Sequence, residues 1–259
     1  MRVLITGANG YIGKSLHQAL KNTYEVVATT RSQFDLTDTD ATTKFFQNES
    51  YFDVIIHCAV VGGSRLVKDD WKALDQNLKM YYNLVQHRDC YEKLIHFSSG
   101  AELYAEDTPY GFSKKVVAKS ILNDSQFYNI RIFGVFDENE AESRFIKANI
   151  KRYINKEPIQ IHQNKFMDFF YMADLVKLVE YYIEEENPSK EVDCTYGDYF
   201  DLIKIATIIN KLDSYEVPIL IEEPDKSSTY VGTFSKWPFE LIGSKQGIIN
   251  TYNALKWSK

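Results

Sequence analysis

Tyr110 and Lys114 stand four residues apart in the segment Tyr110-Gly-Phe-Ser-Lys114, and these two residue types are suited to proton transfer. On a helix, this spacing places both side chains on one face. Free tyrosine titrates near pH ~10, and a neighbouring ammonium group favours the phenolate, so such a tyrosine can act as an acid or base near neutral pH. Ser98 and Ser99, just upstream, offer hydroxyl groups that can orient a substrate oxygen. The segment therefore predicts a proton-transfer site.

The amino-terminal segment places Gly7, Gly10 and Gly13 between an apolar run and an amphipathic stretch. The run Val3-Leu-Ile5 is typical of a buried strand, and the apolar residues after Gly10 recur at helical spacing. Glycines in this position permit a tight turn and bring backbone N–H groups at the helix start close to a pyrophosphate. The pattern predicts a dinucleotide site beside the Tyr110/Lys114 pair, with an ordinary glycine-containing turn as the alternative.

The end of the second predicted strand bears on the choice of cofactor. A site for NAD usually carries an acidic residue here, bonded to the ribose hydroxyls, whereas this chain reads Thr29-Thr-Arg-Ser32. A guanidinium and hydroxyl groups suit a 2′-phosphate, so Arg31 favours NADP(H), with NAD(H) as the alternative cofactor. The other interpretation of Arg31 is a solvated surface arginine. Asp35 and Leu36 follow, where they could contact the adenine ring.

Strand and helix patterns alternate from the amino terminus to about residue 134, which predicts an α/β fold with a Rossmann-type doubly wound parallel sheet. After Gly134 the regular strand–helix alternation ends, and the pattern predicts a smaller α+β region. We expect an NADP-binding Rossmann domain over 1–134, with 168–186 packing back on it, and a smaller substrate-binding domain over 135–259.

Composition narrows the functional classes. The chain has 259 residues, a net charge of −6 and a pI of about 5.5, which argues against a sequence-independent nucleic-acid partner because that would need a basic face. The three cysteines, Cys58, Cys90 and Cys194, are far apart and lack metal-ligand spacing, so we expect reduced thiols and no metal site. The sequence shows no leader and no apolar run near ~18 residues, which predicts a cytoplasmic protein without a membrane partner.

Several motifs occur in the order seen in one enzyme family. They are Thr6-Gly-Ala-Asn-Gly-Tyr-Ile-Gly13, Asp35-Leu36, His57-Cys-Ala59, Phe97-Ser-Ser99, Tyr110 with Lys114, Arg131-Ile-Phe-Gly134 and Met167-Asp-Phe-Phe-Tyr-Met-Ala-Asp174. Over residues 1 to about 210 the sequence resembles the extended short-chain dehydrogenase/reductases, the NAD-dependent epimerase/dehydratase family that acts on nucleotide sugars.

The resemblance implies roles for individual residues. Tyr110 is the proton donor or acceptor, Lys114 holds the nicotinamide ribose and lowers the tyrosine pKa, and Ser99, ahead of Ser98, orients the substrate oxygen. The implied cofactor-binding residues are Gly7, Asn9, Gly10, Tyr11, Ile12, Gly13, Arg31, Asp35, Leu36, Cys58, Ala59, Val60, Asn77, Phe97, Ser98, Lys114, Ile132 and Phe133. Asn77 has an exposed polar residue as its alternative interpretation.

The chain departs from the family pattern at two positions. Gly100 stands where the family usually has the catalytic serine or threonine, so either Ser99 reaches the site through a one-residue shift or the hydroxyl is supplied elsewhere. Met167 stands where the family usually has an arginine that grips the substrate diphosphate. The candidate replacement cations are Lys165, Arg144, Lys147 and Arg152.

The motifs resemble most the nucleotide-sugar 4-keto reductases, of the dTDP-4-dehydrorhamnose reductase and GDP-fucose synthase type. They imply an enzyme that reduces a nucleotide-linked keto-deoxysugar with NADPH. Glu102 stands where a cysteine-dependent epimerase has its cysteine, and Ala101 interrupts the acidic pair of a dehydratase; we expect Glu102 on a solvated loop. The alternatives are a 4-epimerase that retains NAD, reduction of a non-sugar ketone, and a catalytically weak cofactor-binding scaffold or regulatory protein.

Helical segments 70–88 and 110–123 correspond to those that pair across a two-fold axis in related enzymes. The resemblance therefore implies a homodimer through a four-helix bundle, with Tyr81 and Tyr82 on the shared face. Burial of these tyrosines against the chain's own sheet is the alternative.

Overall fold

The chain forms two units in a computed structural model that describes residues 1–64 and 66–257, apart from the side chains of residues 225 and 226. Unit 1 contains Met1–Arg131 and Leu178–Val192, and unit 2 contains Ile132–Lys177 and Asp193–Lys259. Each unit buries its own group of apolar side chains. The substrate-binding role expected for 135–259 stays a prediction.

The strands and helices follow one another along the chain. The strands are β1 (Arg2–Thr6), β2 (Glu25–Thr29), β3 (Phe52–His57), β4 (Tyr91–Ser99), β5 (Phe127–Ile132), β6 (Val135–Phe136), β7 (Ile159–Met167), β8 (Phe170–Tyr171), β9 (Glu191–Asp193) and β10 (Ile219–Tyr230). The helices are α1 (Tyr11–Leu20), α2 (Thr39–Asn48), α3 (Trp71–Val85), α4 (Ala101–Tyr104), α5 (Pro109–Ile121), α6 (Phe145–Ile154), α7 (Met172–Glu184), α8 (Leu202–Ile209) and α9 (Ser244–Trp257).

The central sheet has the strand order β2-β1-β3-β4-β5-β9. β1 pairs in parallel with β2 and β3, and β3 pairs in parallel with β4. Leu4 lies opposite Val27 and Ile55 in this register, and Leu4 and Ile55 are fully buried. Near-continuous apolar runs of this kind are typical of parallel strands covered on both faces, so the predicted α/β class with a Rossmann-type sheet is confirmed.

The strand order creates a switch point at the carboxyl end of β1. The chain passes from β1 to β2 on one side and reaches β3 on the other side of β1. Thr6 lies opposite His57, so the loops that follow β1 and β3 begin next to each other. In open α/β sheets, ligands bind outside the strand ends at such a point.

A buried lysine, Lys93, and a half-buried one, Lys190, hold elements of unit 1 together. Lys93, on β4, is 8% exposed and donates hydrogen bonds to the carbonyls of Tyr182, Ile183 and Glu185 at 2.8, 3.3 and 2.7 Å. These carbonyls lie at the carboxyl end of α7, where a cation also interacts favourably with the helix dipole. Lys190 binds the carbonyls of residues 124, 125 and 127 in the same manner.

Unit 2 is built from short parallel pairs, β7 with β10 and β6 with β8, packed with α6, α8 and α9. Its buried Asp174 accepts hydrogen bonds from the Tyr196 hydroxyl and from the N–H groups of Ile242 and Gly243. This carboxylate therefore organises the chain that leads into α9. Among the described residues, no helix is long and apolar enough to cross a bilayer.

The secondary structure differs from the sequence expectation mainly in unit 2. The sequence patterns Pro158–Ile161 and Phe166–Tyr171 predict two short strands, whereas β7 runs without interruption from Ile159 to Met167. Its pairing with β10, which shifts register between Glu223 and Ser227, explains the length, because the partner strand lies about sixty residues away in the sequence. Helix α9 was not expected at all, since the sequence beyond about residue 210 carries few motifs.

We predict that Lys93→Met lowers the free energy of unfolding by about 2–3 kcal/mol, because buried carbonyls lose a charged donor. Urea denaturation followed by circular dichroism measures the change. Lys79→Met is the matched control, since Lys79 lies on the exposed face of α3 in a pair with Asp75, and its loss should cost no more than about 0.5 kcal/mol. Equal losses of unfolding free energy in the two variants would contradict a stabilising role of the Lys93 hydrogen bonds.

Candidate active site

Helix α5 carries Tyr110 and Lys114. Thr108 caps its start by accepting the Gly111 N–H at 3.1 Å, and Pro109 occupies the first turn, where a missing N–H has no cost. Tyr110 is half-buried and Lys114 is 6% exposed. The Lys114 Nζ lies 5.8 Å from the centroid of the Tyr110 ring, so the helix brings the two side chains together as their spacing predicted.

The Lys114 ammonium is anchored to the end of the central sheet. Its Nζ donates to the carbonyl of Phe97, at 2.6 Å, near the end of β4. Burial lowers the pKa of Lys114 to about 8, while the nearby Glu102 and Cys58 act in the opposite direction. The lysine is therefore mostly protonated at pH 7, and its charge favours the phenolate form of an adjacent tyrosine.

The loop that follows β3 lies against the Tyr110 ring. A Cβ atom at Gly63 would approach the Tyr110 Cζ within 2.8 Å, so only glycine permits this contact. Gly63 also has a φ of +74°, and its N–H donates to both carboxylate oxygens of Asp69, at 3.0 and 3.2 Å. Asp69 therefore holds the loop backbone where it covers the phenol.

Ser98 and Glu102 form part of a buried polar network. The Ser98 hydroxyl donates to the Glu102 carboxylate, which also binds Arg131 from β5. Arg131 in turn contacts Glu191, at 2.9 Å. Glu102 is 4% exposed, so the expectation of a solvated loop glutamate is wrong. The reason is Arg131, a buried cation whose charge needs a buried carboxylate partner.

Ser99 has a different environment from Ser98. It is half-buried, and its Oγ accepts the N–H of Ala101 at 3.2 Å. Gly100 begins the turn into α4 with helical dihedral angles. Because the Ser98 hydroxyl donates its proton to Glu102, the geometry favours Ser99 as the hydroxyl that faces a substrate, which stays a prediction.

The glycine turn has the shape that a pyrophosphate site requires. Gly7 has a φ of +69°, and a Cβ there would lie 2.6 Å from the Ala59 nitrogen, so the turn packs directly on the loop after β3. The first helical turn of α1 follows Gly10, and no side chain caps it. Gly13 is buried in this turn, whereas Asn9 and Gly10 are exposed. Exposed backbone donors at a helix start fit a phosphate group.

After β2, Arg31 forms an ion pair with Asp35, and Leu36 is buried. Arg31 has a side chain that is 65% exposed, and its Nε donates to Asp35 at 2.9 Å. This contact and two hydrogen bonds from Thr37 hold the pKa of the Asp35 carboxyl below its usual value against the effect of burial. Leu36 is 6% exposed and belongs to the hydrophobic core of unit 1. The expected adenine contact of Leu36 therefore competes with a core role.

Asn77 ties two elements of the site together. It is 7% exposed, so its alternative interpretation as an exposed residue is wrong. Its amide exchanges hydrogen bonds with the backbone of Val61, at 2.8 and 2.9 Å, and donates to Ser113 at 3.0 Å. Asn77 thus fixes the loop after β3 to helix α5. Cys58 and Ala59 begin that loop half-buried, and Val60 is 45% exposed.

The remaining predicted residues lie in different parts of the chain. Tyr11 and Ile12 are half-buried at the start of α1. Ile132 and Phe133 lie in unit 2, where the Phe133 ring packs edge-on against Tyr230. Their expected cofactor contacts stay predictions.

The cations proposed to replace an arginine at position 167 are also in unit 2. Lys147 is 7% exposed, and its ammonium binds the Glu140 carbonyl and the Glu142 carboxylate, so local acceptors already hold it. Arg144 lies 3.9 Å from Glu140, and Arg152 lies 3.9 Å from Glu157. Burial raises the Glu140 pKa to about 8, against the influence of Arg144 and Lys147. Lys147 is therefore the least suited of these cations to a substrate phosphate.

Sequence reasoning missed the burial of two histidines next to Lys114, although His57 belongs to the motif His57-Cys-Ala59. His57 ends β3 and His96 lies on β4, and their rings are 5.6 Å apart. Each is 3% exposed. Burial and the Lys114 charge lower the pKa of His57 to about 3 and that of His96 well below its ordinary value. The position of His57 at the end of β3 was the available signal, whereas His96 lies within β4. Among the described residues, no three His, Cys, Asp or Glu side chains converge as metal ligands.

Comparison with known proteins gives the same assignment as the motifs. Residues 3–194 match the model of the NAD dependent epimerase/dehydratase family. The chain is 22% identical over 212 residues to a CDP-abequose synthase of Yersinia pseudotuberculosis, covering 72% of this chain and 75% of that protein.

Solved structures of related fold include a GDP-mannoheptose C4 reductase from Campylobacter jejuni with NADP bound, at a TM-score of 0.80 and 15% identity over 98% of each chain. Another is the Thermus thermophilus UDP-glucose 4-epimerase in complex with NAD, at a TM-score of 0.76 and 17% identity over 100% of each chain. At these identities the likeness establishes the fold.

The two histidines generate a prediction about pH and stability. Burial lowers the folded-state pKa of both histidines, so their stabilising contribution is complete above the unfolded pKa near ~6.5 and is lost as the pH falls below it, by up to ~1.4 kcal/mol per histidine per pH unit. We expect His96→Leu to make the loss of unfolding free energy with falling pH shallower, by about 1.4 kcal/mol per pH unit. Urea unfolding at a series of pH values between 8 and 5 measures this dependence.

The control for this experiment is Leu94→Met, because Leu94 is also buried on β4 and carries no titratable group. It should leave the slope unchanged. A His96→Leu variant with the slope of the unsubstituted protein would show that His96 is not kept neutral by burial.

Proposed function

The chain belongs to the NAD dependent epimerase/dehydratase family, and we propose that it reduces the keto group of a nucleotide-linked deoxysugar with NADPH. The observation that carries the proposal is the Tyr110/Lys114 pair, with its buried ammonium bonded to the Phe97 carbonyl. The uncapped helix start after Gly10 supports a nicotinamide dinucleotide on the same side of the sheet. The NADP-bound reductase of Campylobacter jejuni and the CDP-abequose synthase support a nucleotide-sugar substrate.

The residues of unit 1 supply positioning and a proton. NADPH, when bound, supplies the hydride that the keto carbon accepts. Tyr110 then donates its phenolic proton to the substrate oxygen, and Lys114 stabilises the resulting phenolate. Ser99 donates a hydrogen bond to the same oxygen and so orients the carbonyl. Lys114 also binds the ribose hydroxyls of the cofactor, since its Nζ is fixed at the end of β4.

Arg31 supports NADPH rather than NADH as the cofactor. The ion pair with Asp35 uses the Nε of Arg31, and it orients the guanidinium at the end of β2. The terminal nitrogens of the fork then suit a 2′-phosphate. No acidic side chain occupies positions 29 to 32, where an NAD site usually carries one.

A 4-epimerase is the second candidate, because the chain also shares its fold with a UDP-glucose 4-epimerase. The two functions differ in stoichiometry: a reductase consumes one NADPH for each sugar, whereas an epimerase returns the hydride.

We also propose a cytoplasmic homodimer through α3 and α5, on which Tyr82 and Phe112 are 40% and 43% exposed. Tyr81 is buried in the core of unit 1, as its alternative interpretation held.

The test of the reaction is NADPH consumption with a panel of CDP-, GDP- and dTDP-linked 4-keto sugars. We expect Tyr110→Phe to lower kcat by about 10²- to 10⁴-fold, because the proton donor is lost, while NADPH binding changes little. Tyr104→Phe, at a tyrosine that is 45% exposed, is the control and should retain turnover. Equal turnover of Tyr110→Phe and the unsubstituted protein would reject the assignment, and product formation without net NADPH loss would indicate the epimerase.

The cofactor choice is tested with Arg31→Ala. Loss of a charge-assisted contact to the 2′-phosphate should weaken NADPH binding by about 10- to 100-fold and leave NADH binding nearly unchanged. Fluorescence titration measures both dissociation constants. Arg88→Ala removes another partly exposed, ion-paired arginine and serves as the control. If the unsubstituted protein binds NADH and NADPH equally, the preference for NADPH is wrong.

A further inference from the structure

We propose that Glu102 is a positioning residue of the active site, one that fixes the end of β4 and supplies the negative charge facing the Lys114 ammonium. The inference rests on the proposed function, because it gives Glu102 a purpose only where Lys114 acts in catalysis. It concerns a carboxylate that binds no substrate itself and acts through the lysine.

The geometry begins at two consecutive residues of β4. The Phe97 carbonyl accepts the Lys114 ammonium at 2.6 Å, and the hydroxyl of the next residue, Ser98, donates to Glu102. Both anchors therefore hold one strand end, Glu102 from helix α4 and Lys114 from helix α5. A displacement of Glu102 would move the carbonyl that holds the lysine.

The position of Glu102 is itself fixed by Arg131. The guanidinium of Arg131 binds Glu102 through Nε and Nη2, and the same Nη2 contacts Glu191 at 2.9 Å. Glu102 and Arg131 are 4% and 7% exposed, so water does little to screen the carboxylate. Glu191 has a side chain that is 40% exposed. Glu102 is thus a rigid buried charge.

In the described part of the chain, the titratable groups around Lys114 lie on β3, β4, α4 and α5 and in the loop after β3. They are His57 on β3, Cys58 after β3, His96 on β4, Glu102 on α4 and Tyr110 on α5. Burial keeps both imidazoles neutral and raises the pKa of the Cys58 thiol, so none of these three groups supplies negative charge near neutral pH. Glu102 is the leading influence that opposes the effect of burial on Lys114.

The same contacts argue against a direct chemical role for Glu102. A carboxylate that accepts from Ser98 and from two guanidinium nitrogens has most of its acceptor capacity in use. Glu102 therefore acts on the site through Lys114 and not as the base of a dehydratase.

The experiment is Glu102→Gln, which keeps the shape and the hydrogen bond to Ser98 but removes the charge. The Lys114 titration is read directly by NMR of ¹³Cε-labelled lysine in the protein without added ligand, with Lys114→Met to assign the signal. We expect the Lys114 midpoint to fall by about one pH unit or more in Glu102→Gln. The alkaline limb of kcat/KM should move in the same direction.

Glu191→Gln is the matched control, because it removes the other carboxylate partner of the same arginine. It should leave the Lys114 midpoint where it is. Glu102→Asp, which restores the charge, should return the midpoint toward its original value and also serves if Glu102→Gln folds poorly. An unchanged Lys114 midpoint in Glu102→Gln, or an equal change in Glu191→Gln, would overturn the proposal. Because NMR reads the lysine without substrate, absence of reductase activity would count against the proposed function alone.

Discussion

The buried ammonium of Lys114 is the constraint on which the rest of the site depends. Moving a cation out of water is costly unless its hydrogen bonds and its charge are both satisfied. The Phe97 carbonyl accepts a hydrogen bond from the ammonium, and the nearby Glu102 charge opposes the effect of burial on the Lys114 pKa, so helix α5 and strand β4 must meet in one register. Tyr110, one helical turn before Lys114, is then placed beside the sheet end. The N-cap at Thr108 and the bond from Asn77 to Ser113 hold the helix in that position.

The fold of unit 1 was largely predictable because its signals are local. Short apolar runs that alternate with amphipathic segments specify parallel strands and covering helices, and Gly7 marks the turn between the first pair. Unit 2 was less predictable, since β7 and β10 depend on a partner distant in sequence. Helix α9 has little amphipathic character, and its start is held by distant carboxylates: Asp174 accepts from the Gly243 N–H, and Asp198 accepts from the Ser244 hydroxyl. Tertiary contacts of this kind leave no periodic signal.

The residues of the site also divide into those that local sequence identified and those that it did not. Residue types and spacing identified Tyr110, Lys114 and the glycines, because proton transfer and phosphate binding need those types at those intervals. Glu102 was misjudged, since a glutamate after Gly100 is indistinguishable from a surface residue until its partner is known. That partner, Arg131, stands within an apolar strand, and a buried arginine requires a carboxylate nearby. His96 was missed because its strand looks entirely structural.

The titratable groups near Tyr110 differ in whether they carry charge near neutral pH. Arg131 is paired with Glu102 and Glu191, and the Lys114 ammonium lies 5.8 Å from the centroid of the phenol ring. The two buried histidines add no positive charge to that of Lys114, because the cost of their burial and the repulsion of Lys114 both oppose protonation. Lys114 therefore contributes a steady positive charge beside the tyrosine over the pH range in which its ammonium is protonated. A histidine that titrated near neutrality would make the acidity of the tyrosine vary with pH, and burial beside Lys114 prevents this.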